Sequence, residues 1–472
     1  MPGRDRSTAR PHRRIGGAGA PRRSARRHDA DGLLRSASRA GGASSRSRAS
    51  DPGPARSGGA SALTDPLDRT PSIWRKAVFL RFWAGSSIST VGNEVTSLAL
   101  PWLVLQLTHS PFQLGLVAAL DMVPFLLFGF VVGVYADRWD RPSILLVADL
   151  VRFAALASVP LTASLHVLTL AQLYVVAFIA GTGRVWFEVA HYSMIPDLVT
   201  RSLVVEANSA LEITEGASTL IGPSLGGALI KLFGAANALL ADALSFLFAA
   251  AAWASLGVGR PRQQPAEKGW RAQLGAGIRW VLGQRVILEN TLGAVVLNIV
   301  FAAVTTVFVF YAQHELHLDA ARTGLLLGIA GTGPIGLAVL APRLRRRFRA
   351  GQLLLAELLL TGPLMALLDV APLLPALLAF LVATVSLGIA FGTAILGRIV
   401  LRSYVQATAP PPLLARVNAS IRVVAWGAVP IGALLGGTLT QLIGVRWMIA
   451  SASILSLLLF VVFALVSETK RI

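Results

Sequence analysis

Eleven charged side chains interrupt stretches that are otherwise apolar: Glu94, Asp121, Asp149, Arg152, Arg184, Glu188, Glu212, Glu215, Asp242, Glu289 and Glu357. A charge in such surroundings must be paired, solvated or neutralised, and a carboxylate that responds by binding a proton performs the chemistry of ion-coupled transport. Glu94, beside Asn93, and Asp121 are the deepest acids of the first half of the chain and the candidates for proton coupling, Glu94 first. A structural carboxylate held by a neighbouring helix is the alternative for either. Asp149 and Arg152 stand three apart on one helical face, which predicts a local ion pair. Arg184 and Glu188 stand four apart, which predicts a pair closing a gate, with recognition of a charged substrate group as the alternative.

Other chemistries are absent or poorly supported. The chain has no cysteine, which excludes disulfides, thiolate metal sites and cysteine nucleophiles. His314-Glu-Leu-His317 offers two ligands with no third partner nearby, so no metal site is expected. Gly331-Thr-Gly333-Pro-Ile-Gly336 has the spacing of a dinucleotide fingerprint but lies inside an apolar helix with no strand before it, so packing explains it better. No phosphate-binding loop with Lys-Ser/Thr occurs, so neither built-in ATP hydrolysis nor any cofactor is expected, and no catalytic constellation suggests an enzyme.

The elements that must position these charges are set by the solvent. Of 472 residues, 54% are hydrophobic and 14% charged, and a mean hydropathy of +0.63 is too high for a soluble protein. A bilayer admits only helices or closed barrels, and runs such as Leu98 to Leu107, Leu114 to Val134 and Ile454 to Val466 favour helices. At about twenty residues per crossing, the spans fall near 79–106, 112–135, 142–163, 168–189, 209–233, 236–257, 286–311, 322–341, 352–370, 374–396, 417–442 and 446–466. Basic residues cluster in alternate connections, among them Arg138, Arg141, Arg201, the 260–285 stretch, Arg343 to Arg349, Arg402 and Arg416. Short basic loops stay in the cytoplasm, so both termini are expected there, in a bacterial inner membrane.

The net charge of +19 resembles a nucleic-acid signature until it is mapped, since residues 1–70 hold fifteen Arg against six Asp, or +9 of that total. Residues 1–72 form a basic tail of Arg, Ser, Gly, Ala and Pro that cannot bury a core. It is a disordered segment touching anionic lipid, the product of a mis-assigned start, or a specific binding arm. No nucleic-acid partner is expected. The remaining boundaries are a six-helix half at 73–257, a linker at 258–285 carrying an amphipathic interfacial helix, a second six-helix half at 286–466, and a C-terminal tail at 467–472.

A repeat supports that division. Asn208, Gly222, Gly226, Gly227 and Gly234 recur 210 residues later as Asn418, Gly432, Gly436, Gly437 and Gly444, and Leu146-Val-Ala-Asp149-Leu is echoed by Leu354-Leu-Ala-Glu357-Leu. In the same alignment Glu212 meets Arg422, and the opposite charges of Glu212 and Glu215 against Arg422 predict a salt bridge between halves.

Gly133-Val-Tyr-Ala-Asp137-Arg138-Trp-Asp140-Arg141 resembles the conserved cytoplasmic loop of the major facilitator superfamily. There Gly133 would permit close helix approach, while Asp137, Arg138 and Arg141 would latch a gate that separates when the cytoplasmic side opens. Gly222-Pro223-Ser-Leu-Gly226-Gly227 resembles the glycine-proline element of the superfamily's antiporters. Ala99-Leu-Pro-Trp-Leu-Val, Ile195-Pro-Asp-Leu-Val, Asp242-Ala-Leu-Ser-Phe and Trp426-Gly-Ala-Val-Pro-Ile-Gly narrow the likeness to the branch of the enterobactin exporter and macrolide efflux proteins, over residues 79–466. The resemblance implies an all-α membrane protein of twelve helices in two pseudo-symmetric six-helix halves. It implies a monomer that exports a small amphipathic molecule such as a drug, macrolide or siderophore, exchanging it for protons. The central cavity would include Asn93, Trp102, Asn298 and Tyr311. Proton-driven uptake of a metabolite is the rival reading within the same fold, and a non-transporting membrane sensor a more distant one.

Overall fold

The computed structural model describes residues 72–136, 139–256 and 270–471. The tail 1–71, Asp137, Arg138 and the linker segment 257–269 lie outside the described residues, and at Gly133 only the helical backbone is described. The described chain is almost entirely helical: α1 (Ala77–Thr108), α2 (Pro111–Ala136), α3 (Arg141–Ser164), α4 (Leu170–Leu198), α5 (Val204–Phe233), α6 (Ala235–Ala254), α7 (Trp270–Gly283), α8 (Arg285–His314), α9 (Ala320–Ala330), α10 (Thr332–Arg347), α11 (Ala350–Val370), α12 (Ala376–Thr408), α13 (Leu414–Gly427), α14 (Val429–Ile443) and α15 (Val445–Val466).

Two pairs of these helices each make one crossing. α9 and α10 break at Gly331 and Pro334, and α13 and α14 at Gly427 and Pro430, because proline cannot donate to the helical ladder. Ten segments of the described chain are long and apolar enough to span a bilayer. α1 and α5 match them in length but carry Ser86, Ser87, Ser89, Thr90, Asn93, Glu94 and Thr96, and Asn208, Glu212, Thr214, Glu215 and Ser218. Helices this polar need protein or a cavity beside them, and α1 packs against both α5 and α6. With these two the crossings number twelve. The outer surface is correspondingly apolar, with side chains such as Leu442 and Leu465 more than 70% exposed, as lipid contact permits.

The expected spans ending near 189 and 396 run on as α4 to Leu198 and α12 to Thr408. Hydropathy senses the thickness of the hydrocarbon layer, and a helix continues beyond it as long as its backbone bonds are made. α7 lies within the expected linker, and Gly277 sets it against Arg416 and Ser420 of α13.

The repeat is visible in the backbone itself. Gly234 and Gly444 turn α5 into α6 and α14 into α15 at φ +84° and +87°, a region glycine enters without steric cost. His109 and His317, 208 residues apart, both adopt φ 52° in the corresponding turns. Helix contacts repeat as well: α3 with α6 and α4 matches α11 with α15 and α12, while α5 with α9 and α14 with α2 cross between the halves.

Both crossing seams are built on glycine. A Cβ on Gly324 would strike the Pro223 carbonyl, one on Gly227 the Ala320 carbonyl, and Gly115 and Gly437 face each other across the second seam. In lipid, helix association depends on such close backbone approach, because apolar side chains gain nothing by leaving hydrocarbon for one another. At the same end Ser110 donates to Gln441 at 3.0 Å and Lys231 pairs with Asp319 at 3.0 Å. This end is shut.

Two outcomes follow. Gly324→Ala should lower the stability of the solubilised protein by about 1–3 kcal/mol through overpacking, while Gly129→Ala and Gly336→Ala, which meet open space, change it by no more than about 1 kcal/mol. Thermal unfolding in one detergent measures both. Asp319 lies outside the spans and caps α9; the backbone N–H of Arg322 and then Lys231 hold its carboxyl below the usual range. A depressed folded value means the contribution is complete above the ordinary carboxylate range and lost as pH falls through the lowered one. The small melting deficit of Asp319→Asn, below about 1 kcal/mol for so exposed a pair, should therefore vanish on acidification.

Candidate functional site

Two polar assemblies occupy the first half. One is closed inside the helices. Asp149 of α3 is fully buried; Arg152 pairs with it at 3.3 Å and the Trp253 indole donates to it at 2.7 Å from α6. Arg152 also donates to Asn93 of α1, and its guanidinium centre sits 3.8 Å over the Phe246 ring. Gly183 of α4 makes room for its stem. Asp242, equally buried, accepts from Thr96 at 2.6 Å and Ser245 at 3.0 Å, and only a glycine at position 92 lets α1 approach that close. His191 of α4 and Ser86 of α1 add a 2.7 Å bond. The network ties α1, α3, α4 and α6 into one body, and its partners are protein groups.

The other assembly includes charges that reach across to the second half. Glu94 projects from mid-α1 beside Gly222 of α5, where a Cβ would collide with it, and no ion pair among the described residues includes it. Asp121 is ion-paired with Arg184. Glu188 lies 3.3 Å from Arg422 of α13, bridging the halves. Glu212 and Glu215 are exposed on α5, with the Tyr192 hydroxyl 3.5 Å from Glu215. Opposite them Arg398 of α12 is exposed and close enough to attract Glu215. Glu188 and Glu215 of the first half are thus set against Arg422 and Arg398 of the second.

Several expectations require correction. Arg184 does not pair with Glu188: it reaches across to α2 and takes Asp121, and Glu188 takes Arg422 instead. Arg422 accordingly bridges the halves, but not to Glu212 or Glu215. Tyr311 is buried in the second half, its hydroxyl donating to the Leu368 carbonyl, and Trp102 is buried in a core cluster that takes in Val309 and Ala320 of the second half as well. The Tyr311 ring is thus turned into its own six-helix body. Asn298 donates to the Ala425 carbonyl at 2.8 Å and Asn93 serves Arg152, so both amides are already engaged. Arg141 ties the start of α3 to Asp197 at 2.6 Å and the Ser193 carbonyl at 2.7 Å, within one half. Gly222, Pro223, Gly226 and Gly227 pack α5 against α1 and α9. An apolar recess of about 580 Å³ between α3 and α4, beside stacked Trp139 and Trp186, is lined by none of the paired side chains named above.

Arg398 and the Trp253–Asp149 bond escaped the sequence. Arg398 sits where α12 continues past its hydrophobic stretch, and nothing in the spacing of a lone tryptophan links it to an acid 104 residues earlier.

A family model described as transmembrane secretion effector matches residues 70–471. The chain belongs to this family, within the major facilitator superfamily. It is 30% identical over 388 residues to the multidrug efflux pump Tap of Mycobacterium tuberculosis, covering 79% of this chain and 89% of that one. Macrolide efflux protein A of Streptococcus pyogenes is 25% identical over 166 residues, 35% of this chain and 41% of that one. A bacterial homologue of the human lysosomal transporter Spinster, crystallised inward-facing and unoccupied, has the same fold at a TM-score of 0.68 and 14% identity, covering 83% of this chain and 96% of that one. The protein is an efflux-type multi-pass membrane transporter rather than an enzyme.

The closed network predicts a ranking of variants. Arg152→Met leaves Asp149 uncompensated and should cost about 3–5 kcal/mol; Trp253→Phe removes one donor to a charged group, about 1.5–3 kcal/mol. Arg422→Gln, at a side chain 60% exposed, should cost no more than about 1 kcal/mol. Thermal unfolding of the three solubilised variants tests the order.

Proposed function

We propose that this transporter exports a small amphipathic molecule, such as a drug, macrolide or siderophore, in exchange for protons across a bacterial plasma membrane. The reading rests chiefly on Glu94, an acid of mid-α1 packed against Gly222 of α5 without an ion pair among the described residues. The likeness to Tap supports the outward direction. Glu94 is the first choice for the coupling proton. Asp121 is second, because a proton there must displace Arg184.

In the proposed cycle the two six-helix bodies rock about a site near mid-membrane. The glycine seams hold one end shut while substrate enters from the other, the end at which α1 begins and α15 finishes, assigned to the cytoplasm by the basic-loop argument. Closing that end brings Glu212 and Glu215 toward Arg398 and Arg422, and the Glu188–Arg422 pair rearranges. Arg141 keeps α3 and α4 moving together. The glycine-proline element at 222–227 keeps α5 rigid against α1, which limits leakage of protons past Glu94. A monomer is sufficient, since both walls come from one chain.

Inverted membrane vesicles with an acid interior test this. Adding a macrolide or siderophore should release protons from wild-type vesicles and leave Glu94→Gln at the background of empty vesicles. Release undiminished by Glu94→Gln would move the coupling role to Asp121; no release from a broad panel, with folded protein present, would favour uptake.

A further inference from the structure

The acids enclosed within the first half are partnered and the corresponding acid of the second is not. Glu357 of α11 stands 208 residues after Asp149 in the repeated segment. Both partners of Asp149 have gone from the second copy: Leu360 stands in the place of Arg152, and Phe463, 210 residues after Trp253, has no N–H to give. The Glu357 carboxylate makes no hydrogen bond and no ion pair with any described residue; only its backbone carbonyl is engaged, by Thr361. An unpaired carboxylate in a membrane-embedded bundle is costly to keep ionised and is retained for a reason.

The packing around it has a direction. Gly397 of α12 lies flat against the carboxyl group, where a Cβ would run into Oε2, and the next residue is the exposed Arg398. Among the described elements packed against α11, α12 supplies Arg398 and, beyond it, Arg402. α15 supplies Arg446, engaged with the Asp369 carbonyl at the far end of α11. α10 supplies Arg343 and Arg345 to Arg347, and the last turn Glu468 and Lys470. Of all these, Arg398 alone lies close enough to act on Glu357, without forming a pair. Glu215, on the opposite wall, feels the same guanidinium.

We propose that Glu357 is a proton-binding site of the second half, whose occupancy decides whether Arg398 is held against α11 or freed to meet Glu215 across the cavity. Ionised Glu357 attracts Arg398 and leaves the acidic wall without its counter-charge. Protonated Glu357 releases it, and the inter-half attraction favours closure of that end. This rests on the proton-coupled reading above and adds to it a second proton site, in the half opposite Glu94.

Difference infrared spectroscopy of the purified full chain, titrated through neutral pH, reads the proton directly. A protonated-carboxyl C=O component should be present in wild type, persist in Glu94→Gln and Glu357→Asp, and be lost in Glu357→Gln. Superimposable wild-type and Glu357→Gln spectra would overturn the proposal. If Glu357→Gln does not fold, dicyclohexylcarbodiimide, which attacks protonated carboxyls in apolar surroundings, should modify Glu357 of wild-type protein at neutral pH and not at alkaline pH. An unmodified Glu357 overturns the proposal equally. In the vesicle assay, Glu357→Gln and Arg398→Gln should both fall to background. A lost infrared component with undiminished proton release in Glu357→Gln would reduce Glu357 to a structural group and overturn its role. Absence of proton release from wild type, with the infrared component still present, would instead sink the exporter reading and leave the protonation of Glu357 standing.

Discussion

Hydrocarbon offers no hydrogen bonds, and that single refusal accounts for most of what the chain does. Backbone amides must close on themselves, so the described residues are helices joined by short turns. Apolar side chains gain nothing by meeting one another, so the halves adhere where glycine lets backbones touch, at Gly227 and Gly324 on one seam and Gly115 and Gly437 on the other. Charges must find partners or a cavity, so the position of each one carries information.

The two polar assemblies of the first half obey that rule in opposite ways. Asp149, Arg152, Asp242 and their neighbours satisfy one another and are shut away from the cavity; they fix the relative placement of α1, α3, α4 and α6. Glu188, Glu212 and Glu215 sit on the same helices or their neighbours but outside that network, and Glu188 and Glu215 are set against Arg422 and Arg398 of the second half. A rigid inner scaffold carrying an adaptable charged wall is what rocking requires: the body moves as a unit while the wall changes partners.

Much of this was legible in the sequence because the bilayer simplifies the code. Twelve crossings, the duplication and the local Asp149–Arg152 pair follow from hydropathy, a 210-residue period and a spacing of three. The partners across helices did not follow. Arg184 has Glu188 four residues away and Asp121 sixty-three residues earlier, and sequence spacing favours the former. Only the approach of α2 to α4 decides for the latter. Tyr311 failed for a related reason: the helix that lines a cavity also has a face turned inward to its own bundle, and a polar or aromatic residue type does not reveal which face it occupies. Arg398 was missed because the hydrophobic stretch ends before the helix does.

The departures from pseudo-symmetry then acquire a physical sense. A duplicated unit begins with two equal bodies, yet a transporter must bind and release a proton at some point of its cycle, and two fully satisfied networks could do neither. Where the first half keeps Arg152 and Trp253 around its acid, the second has Leu360 and Phe463, which fill space and offer no charge or donor. The second half holds its acid against Gly397 instead, one residue from the exposed Arg398. The enclosed network of the first body is thus suited to holding its shape, and the proposed proton sites are the acids left outside such a network, Glu94 in the first half and Glu357 in the second.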